Sequence, residues 1–117
     1  MASILIALGS NYHQGAHILW ASQRLSVLLD DVTLSPVLWT PDIHGRGTWY
    51  MNRLLRARTS LSPTQLNTLL KQLEQESQRT KAHVTIDLDL MQYDAERYHL
   101  DDWQRPYIKN LIGFMQA

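Results

Sequence analysis

Two stretches of helical period constrain most strongly how this chain can fold. Residues 14–29 and residues 62–79 each carry one apolar stripe on an otherwise polar surface, so each predicts a helix that packs one side against a core. The stripes consist of Ile18, Ala21, Leu25 and Leu28 in the first helix and of Leu66, Leu69, Leu70 and Leu73 in the second. The second also has a strong start signal, because Ser62, Pro63 and Gln65 have the sequence pattern of a capping box with proline at the first helical position.

Four further stretches have the length and apolar pattern of β-strands. They cover residues 3–8, 32–40, 50–59 and 83–93. Pro36 interrupts the second, which predicts a sheet edge or a bulge because proline cannot donate to a strand ladder. The order is therefore β-α-β-β-α-β, and two helices on one face of an antiparallel sheet would bury both stripes. We predict an α+β chain of the ferredoxin-like class, forming one domain over residues 1–117.

The two remaining segments lack such a period. Residues 41–48, PDIHGRGT, contain several turn-forming residues and predict an exposed loop. Residues 95–117 are rich in charged and aromatic residues. In that tail the sequence indicates only a short helix or turn around residues 100–105.

Composition limits the classes of function. Lys plus Arg and Asp plus Glu both number 11, so the net charge is zero, which argues against a general binder of nucleic acid or anionic membranes. The absence of cysteine excludes disulfides, thiolate metal sites and cysteine nucleophiles. No apolar run approaches the roughly 20 residues that cross a bilayer, and residues 1–8 lack the basic start of a signal peptide. We therefore expect a cytoplasmic protein with no nucleic-acid or membrane partner.

The clearest chemical signal lies in the last predicted strand. Period-two geometry places Thr85, Asp87 and Asp89 on one face and the intervening apolar residues on the other. Carboxylates two residues apart on a strand are separated by roughly 6.5–7 Å, so they can converge on a hard cation such as Mg²⁺. Alternatively, both carboxylates only solvate the outer face of a half-buried strand. Spacing alone favours this second interpretation.

Six short motifs follow one another in a specific order and spacing. They are residues 6–11 (IALGSN), 40–41 (TP), 50–52 (YMN), 60–63 (SLSP), 85–90 (TIDLDL) and 113–115 (GFM). Together they resemble the hydroxymethyldihydropterin pyrophosphokinases, a family of small folate-pathway enzymes. The resemblance extends over about residues 3–115.

The resemblance implies both a reaction and a set of site residues. Members of that family transfer a pyrophosphoryl group from ATP to the hydroxymethyl oxygen of 6-hydroxymethyl-7,8-dihydropterin and release AMP. By position, Asp87 and Asp89 would bind two Mg²⁺ ions that bridge the triphosphate, and Arg79 would act with them in catalysis. The residues implied for the pterin are Thr40, Pro41, Tyr50, Asn52 and Phe114, and those implied for the nucleotide are Lys71, Glu74, Arg79 and Tyr107.

Two of these residues also have ordinary structural explanations. Asn52 could serve only to satisfy neighbouring backbone groups. Phe114, the sole phenylalanine, could belong to the core. Without the resemblance these structural explanations are the preferred ones.

The chain also departs from the family pattern. The family has a long, basic, flexible loop with a tryptophan before the acidic strand, whereas residues 79–82 here run almost directly into His83. Fewer cations are then available to balance a triphosphate. Arg56 and Arg58 share a face with Asn52 by alternation, so they are expected beside the ligand as a replacement.

These departures leave a second function open. The chain could be a catalytically degenerate homologue that binds a pterin or a nucleotide without turnover. A homo-oligomer is also open, because an incompletely covered sheet edge can pair with a second copy.

Overall fold

The computed structural model describes residues 1–42 and 47–115, which form six strands and three α-helices. In chain order these are β1 Ala2–Ser10, α1 Gln14–Leu28, β2 Asp30–Leu34, β3 Leu38–Pro41, β4 Trp49–Thr59, α2 Pro63–Glu76, β5 Asp87–Tyr93, β6 Glu96–Arg97 and α3 Pro106–Met115, with a 3₁₀ turn at Asp102–Gln104 before α3. No helix in the described residues has both the length and the apolar character needed to span a membrane.

The strands form one antiparallel sheet with β1 near its centre. The order is β2-β4-β1-β5-β6, and β3 pairs with β4 beyond the end of β2. Strand β1 pairs along its whole length with β4, from Ala2 opposite Thr59 to Ser10 opposite Met51. It pairs on its other side with β5. The predicted α+β class with an antiparallel sheet is confirmed.

Helices α1 and α2 pack together on one face of the sheet. The leucine-rich stripes predicted for them are buried there, against the side chains of Ile6 and Leu8 from β1 and of Ile86 and Leu88 near the start of β5. One stripe position was predicted wrongly. Leu28 is 43% exposed and its neighbour Leu29 is buried, because α1 ends at Leu28 and the chain turns there into β2.

A third helix covers the opposite face, so the expectation of helices on one face alone was wrong. Helix α3 and the residues before it bury a second apolar cluster, made of Leu5, Leu54, Met91, Trp103, Ile108 and Leu111. The tail was predicted to contain only a short helix or turn around residues 100–105, and the 3₁₀ turn lies there. Pro106 begins α3 in the first-turn position where proline is well tolerated, a start signal that the prediction did not use.

The predicted strand 32–40 is in fact two strands, β2 and β3, separated at Ser35, Pro36 and Val37. At this break, buried Ser35 makes hydrogen bonds to the Leu54 backbone of β4 in place of regular strand pairing. Its backbone N–H donates to the Leu54 carbonyl at 2.9 Å, and its Oγ accepts from the Leu54 N–H at 2.8 Å. The interruption expected from Pro36 is thus present.

The acidic strand and the helix before it both differ in extent from the prediction. Helix α2 ends at Glu76 instead of about residue 79, and β5 begins at Asp87 instead of residue 83. Val84 is held by the side chain and backbone of Asn11 instead of by a ladder, since Val84 N donates to Asn11 Oδ1 at 2.8 Å and Asn11 N donates to Val84 O at 2.9 Å. The predicted loop 41–48 falls partly outside the described residues.

The capping box predicted at the start of α2 is present and yields a stability prediction. Ser62 Oγ accepts from Gln65 N at 3.2 Å, and Ser62 N donates to Gln65 Oε1 at 2.9 Å. We expect Ser62→Ala to lower the free energy of unfolding by about 1 kcal/mol, because one helix N–H loses its acceptor. Urea denaturation would measure this, with Ser60→Ala on the adjacent surface as the matched control. Equal midpoints for the two variants would contradict the prediction.

Candidate functional site

A cavity of about 580 Å³ lies between the sheet and the start of α3. Its sheet side is formed by the end of β1, the beginnings of β4 and β5, and strand β3, while its other side is formed by the residues that lead into α3. The lining residues are Ala7, Leu8, Gly9, Leu38, Trp39, Thr40, Pro41, Asp42, Tyr50, Asn52, Asp87, Asp89, Asp102, Arg105, Pro106, Tyr107 and Asn110. Seven of the predicted site residues, from Thr40 to Tyr107, are among them.

Strand pairing brings Asn52, predicted to bind the pterin, close to Asp87, predicted to bind Mg²⁺. Gly9 lies opposite Asn52 on β4 and opposite Asp87 on β5, so these three residues form one row across the sheet. Gly9 has no side chain to fill the space between its neighbours. A Cβ at this position would lie 3.7 Å from Asn52 Oδ1 and 3.7 Å from the ring of Tyr50. The glycine therefore leaves the floor of the cavity open.

Asn52 serves the backbone with its nitrogen and faces the cavity with its oxygen. Its Nδ2 donates to the Leu38 carbonyl at 3.0 Å and to Thr40 Oγ1 at 2.8 Å. Because a carbonyl only accepts, the nitrogen must lie on the β3 side. Oδ1 then lies on the side of Gly9. Both interpretations of Asn52 are thus compatible with its position, since one atom satisfies the backbone and the other remains available.

The two aspartates form an electrostatically unfavourable pair. The side chain of Asp89 is 32% exposed, and its pKa is raised to about 7, first by burial and then by the charge and hydrogen bond of Asp87. Asp102 and Glu74 add smaller contributions of the same sign. Among the described residues, Arg79 Nη1 lies 2.9 Å from Asp87 Oδ1, and His99 Nε2, which carries charge only when protonated, lies 3.9 Å from Asp89 Oδ1. The pair therefore favours a bound cation.

Three of the four residues predicted for the nucleotide, all but Tyr107, line a second cavity of about 900 Å³, whereas Tyr107 lines the first. The lining residues of the second cavity are Lys71, Glu74, Gln75, Arg79, Thr80, Lys81 and Val84. Arg79 joins the two cavities, because its Nη1 is 3.3 Å from Glu74 Oε2 as well as close to Asp87. Glu74 is fixed by the Leu88 N–H, which donates to its Oε2 at 2.8 Å, and burial raises its pKa.

Three predicted residues are not brought to either cavity. Phe114 lies in the last turn of α3, is 59% exposed and does not line the cavity; its contact with a pterin stays a prediction. Arg56 and Arg58 share the face of Asn52 but lie toward the other end of β4, roughly 13 Å or more along the strand. Arg58 is 3.8 Å from Asp31 at the sheet edge. The expectation that these arginines lie beside the ligand was wrong.

Sequence reasoning also missed residues that line the cavity from the α3 side. They are Asp102, Arg105 and Asn110. Arg105 Nε donates to Asp102 Oδ1 at 2.7 Å, and the Arg105 backbone directly precedes α3. The one available signal was the Arg-Pro pair, because a proline at the start of a helix predicts α3 and hence a position for its preceding residue.

Comparison with known proteins places the chain in a family. A family model described as 7,8-dihydro-6-hydroxymethylpterin-pyrophosphokinase matches residues 5–112. The match includes both aspartates, Asn52 and Arg79, whereas Phe114 lies just beyond it. No curated protein matches the chain. Because the family model covers most of the chain, this protein belongs to the 7,8-dihydro-6-hydroxymethylpterin-pyrophosphokinase family.

Proposed function

We propose that this chain transfers a pyrophosphoryl group from ATP to 6-hydroxymethyl-7,8-dihydropterin in a Mg²⁺-dependent reaction that releases AMP. One observation carries the proposal. Asp87 lines the same cavity as Asn52 and Tyr50, and it is also ion-paired at 2.9 Å with Arg79 of the second cavity. A pterin in the first cavity and a nucleotide in the second would thus meet at the acidic pair.

The donor set suits Mg²⁺. Within residues 1–42 and 47–115, no group of three or more His, Cys, Asp and Glu side chains converges as a complete metal cage. Mg²⁺ needs no such cage, because it commonly binds one or two carboxylates and completes its octahedron with water and phosphate oxygens. Asp87 and Asp89 would hold the two ions of the proposal, and these would offset the charge of the triphosphate. The raised pKa of Asp89 supports the fit, since a cation relieves the repulsion that contributes to it.

The other side chains bind and orient the substrates in this proposal. Asn52 Oδ1 accepts an N–H from the pterin edge, because its nitrogen is already engaged with β3. Thr40 and Pro41 add contacts from β3, Tyr50 walls the ring and Phe114 stacks on it. On the nucleotide side Lys71 and Arg79 contribute positive charge, Glu74 positions Arg79, and Tyr107 contacts the nucleotide from α3.

The strand order β2-β4-β1-β5 and the packing of α1 and α2 on one face support a ferredoxin-like core. We take residues 1–117 as one domain. We also propose a cytoplasmic location. The zero net charge supports the absence of nucleic-acid and anionic-membrane partners.

An assay of AMP formation tests the proposed function. The purified protein is incubated with saturating MgATP and 6-hydroxymethyl-7,8-dihydropterin, and AMP is measured against a control without protein. AMP formation that requires both substrates and Mg²⁺ would support the proposal. Calorimetric binding of either ligand with no AMP above the control would instead support the degenerate homologue. Absence of both binding and AMP would refute the two functions together.

The open floor at Gly9 provides a variant that separates binding from folding. We expect Gly9→Val to weaken pterin binding at least tenfold, because its methyl groups enter the space between Asn52 and Tyr50. Stability should be kept or increased, since valine suits a strand interior better than glycine. Calorimetry with 6-hydroxymethylpterin and a urea titration would measure the two effects. Gly15→Ala is the matched control, because its Cβ would meet open space. A variant that binds normally would contradict the proposed pterin position.

A further inference from the structure

The described residues that line the first cavity include more negatively than positively charged side chains. Four carboxylates line it, those of Asp42, Asp87, Asp89 and Asp102. Among the described residues that line it, Arg105 alone carries a permanent positive charge. A phosphate group at the border of such a cavity needs cationic partners, because it adds negative charge to an already unfavourable cluster. Arg105 is therefore the described lining residue that could supply such a cationic partner.

The Arg105 side chain is oriented by Asp102, but its neighbours among the described residues accept hydrogen bonds from only part of its guanidinium. Its Nε lies 2.7 Å from Asp102 Oδ1, and its backbone N–H donates to the Asp102 carbonyl at 3.0 Å. A guanidinium carries five N–H donors, and no bond between described residues involves Nη1 or Nη2 of Arg105. The side chain is 33% exposed, so a ligand can reach it. Asp102 thus holds the planar group in one orientation while its terminal donors remain available.

We propose that Arg105 binds a phosphate group of the nucleotide from the α3 side of the cavity, facing the acidic pair on the sheet side. The inference rests on the proposed pyrophosphoryl transfer, and it names a binding residue additional to those of the second cavity. Two terminal N–H groups of one guanidinium match two phosphate oxygens, which lysine cannot do. Asp102 is the residue that positions Arg105.

A purely structural role for Arg105 makes different predictions. The Arg105–Asp102 pair also links the 3₁₀ turn to α3, so its loss could loosen the cavity wall. In that case removal of either partner would weaken ligand binding to a similar extent. If Arg105 contacts phosphate, loss of its charge weakens binding. Asp102→Asn leaves binding equal or tighter, because the amide oxygen still accepts the Nε–H that orients Arg105 while one repulsive carboxylate is gone.

Calorimetric titration of α,β-methylene-ATP with Mg²⁺ into wild type, Arg105→Gln and Asp102→Asn tests the proposal. The bond broken in the proposed transfer is blocked in this analogue, so binding is measured without turnover. We expect Arg105→Gln to raise Kd roughly ten- to hundredfold, as for loss of a charge-assisted contact, and Asp102→Asn to leave Kd unchanged or lower. Arg56→Gln, which removes the same charge from an exposed position away from the cavity, should leave Kd within about twofold of the wild-type value.

The outcomes separate the inference from the function on which it rests. Equal Kd values for wild type and Arg105→Gln would overturn the role of Arg105 and leave the proposed function intact. Parallel weakening in Arg105→Gln and Asp102→Asn would also overturn it, in favour of a structural role. Absence of analogue binding by the wild type would refute both proposals. Arg105→Lys keeps the charge and is expected to bind the analogue with an affinity between those of wild type and Arg105→Gln. If Arg105→Lys bound the analogue as tightly as the wild type, the two-point contact would be overturned.

Discussion

Asp89→Asn is expected to abolish pyrophosphoryl transfer while stabilising the metal-free protein at pH 8. Loss of the carboxylate removes a proposed Mg²⁺ ligand, and a drop of at least a hundred- to thousandfold in kcat is expected, comparable to loss of a strong transition-state contact. The stability gain comes from the same charge. In the folded protein, burial and Asp87 disfavour ionised Asp89 and raise its pKa from 3.8 to about 7.

The sign of the pH dependence follows from that raised pKa. The folded state holds the proton of Asp89 more tightly than the unfolded chain does, so ionisation lowers stability as pH rises from about 3.8 through 7. At pH 8 the full penalty is present in the wild type and absent in Asp89→Asn. The difference between their unfolding midpoints should therefore be largest at pH 8, shrink as pH falls below 7, and vanish near pH 4.

Thermal unfolding in EDTA between pH 4 and pH 8 would measure this difference. Asp30→Asn, the same chemical change on the exposed first residue of β2, is the matched control and should show no comparable trend. Addition of Mg²⁺ at pH 8 is expected to stabilise the wild type and not Asp89→Asn, because only a bound ion shifts unfolding by mass action. A variant that retained activity, or gained Mg²⁺ stability like the wild type, would contradict the assignment of Asp89.

Local signals in the sequence predicted helices α1 and α2 and their packing on one face of the sheet. The helical stripes, the capping box at Ser62 and the interruption at Pro36 each depend on neighbours within a few residues, and each is present. Helix α3 was missed because only Ile108 and Leu111 of its ten residues are buried, too few for a clear period. Its apolar partners come from β1, β4 and β5, far away in sequence.

In the candidate site, too, features that depend on local sequence were predicted and features that depend on distant residues were not. Period two correctly predicted that Asp87 and Asp89 share a face, but the row that joins Asp87 to Gly9 and Asn52 depends on the register of three strands. Register is set by long-range pairing and packing, so one sequence does not reveal it. Arg105 was missed for this reason, since its place in the cavity depends on how α3 docks.

Trp103→Ala is expected to lower the free energy of unfolding by about 3–5 kcal/mol, the range for removing a large buried aromatic side chain. Trp103 is 8% exposed and belongs to the cluster beneath α3. Its Nε1 donates to the Tyr98 carbonyl at 3.0 Å, and the Arg97 guanidinium lies 4.0 Å from its ring centroid. One side chain thus attaches the segment before α3 to the sheet by packing, hydrogen bonding and a cation–π contact.

The loss should affect the site more than the rest of the fold. Trp103 directly precedes the segment that carries Arg105 and Tyr107 into the cavity, whereas α1, α2 and their core lie on the opposite face. We therefore expect limited proteolysis to cleave the tail of Trp103→Ala before global unfolding, and ligand affinity to fall even where most molecules remain folded. Urea denaturation and calorimetry would measure both effects, with Trp49→Ala, a 54% exposed tryptophan, as the control. A loss of stability without protease sensitivity in the tail would show that α3 unfolds together with the rest of the protein.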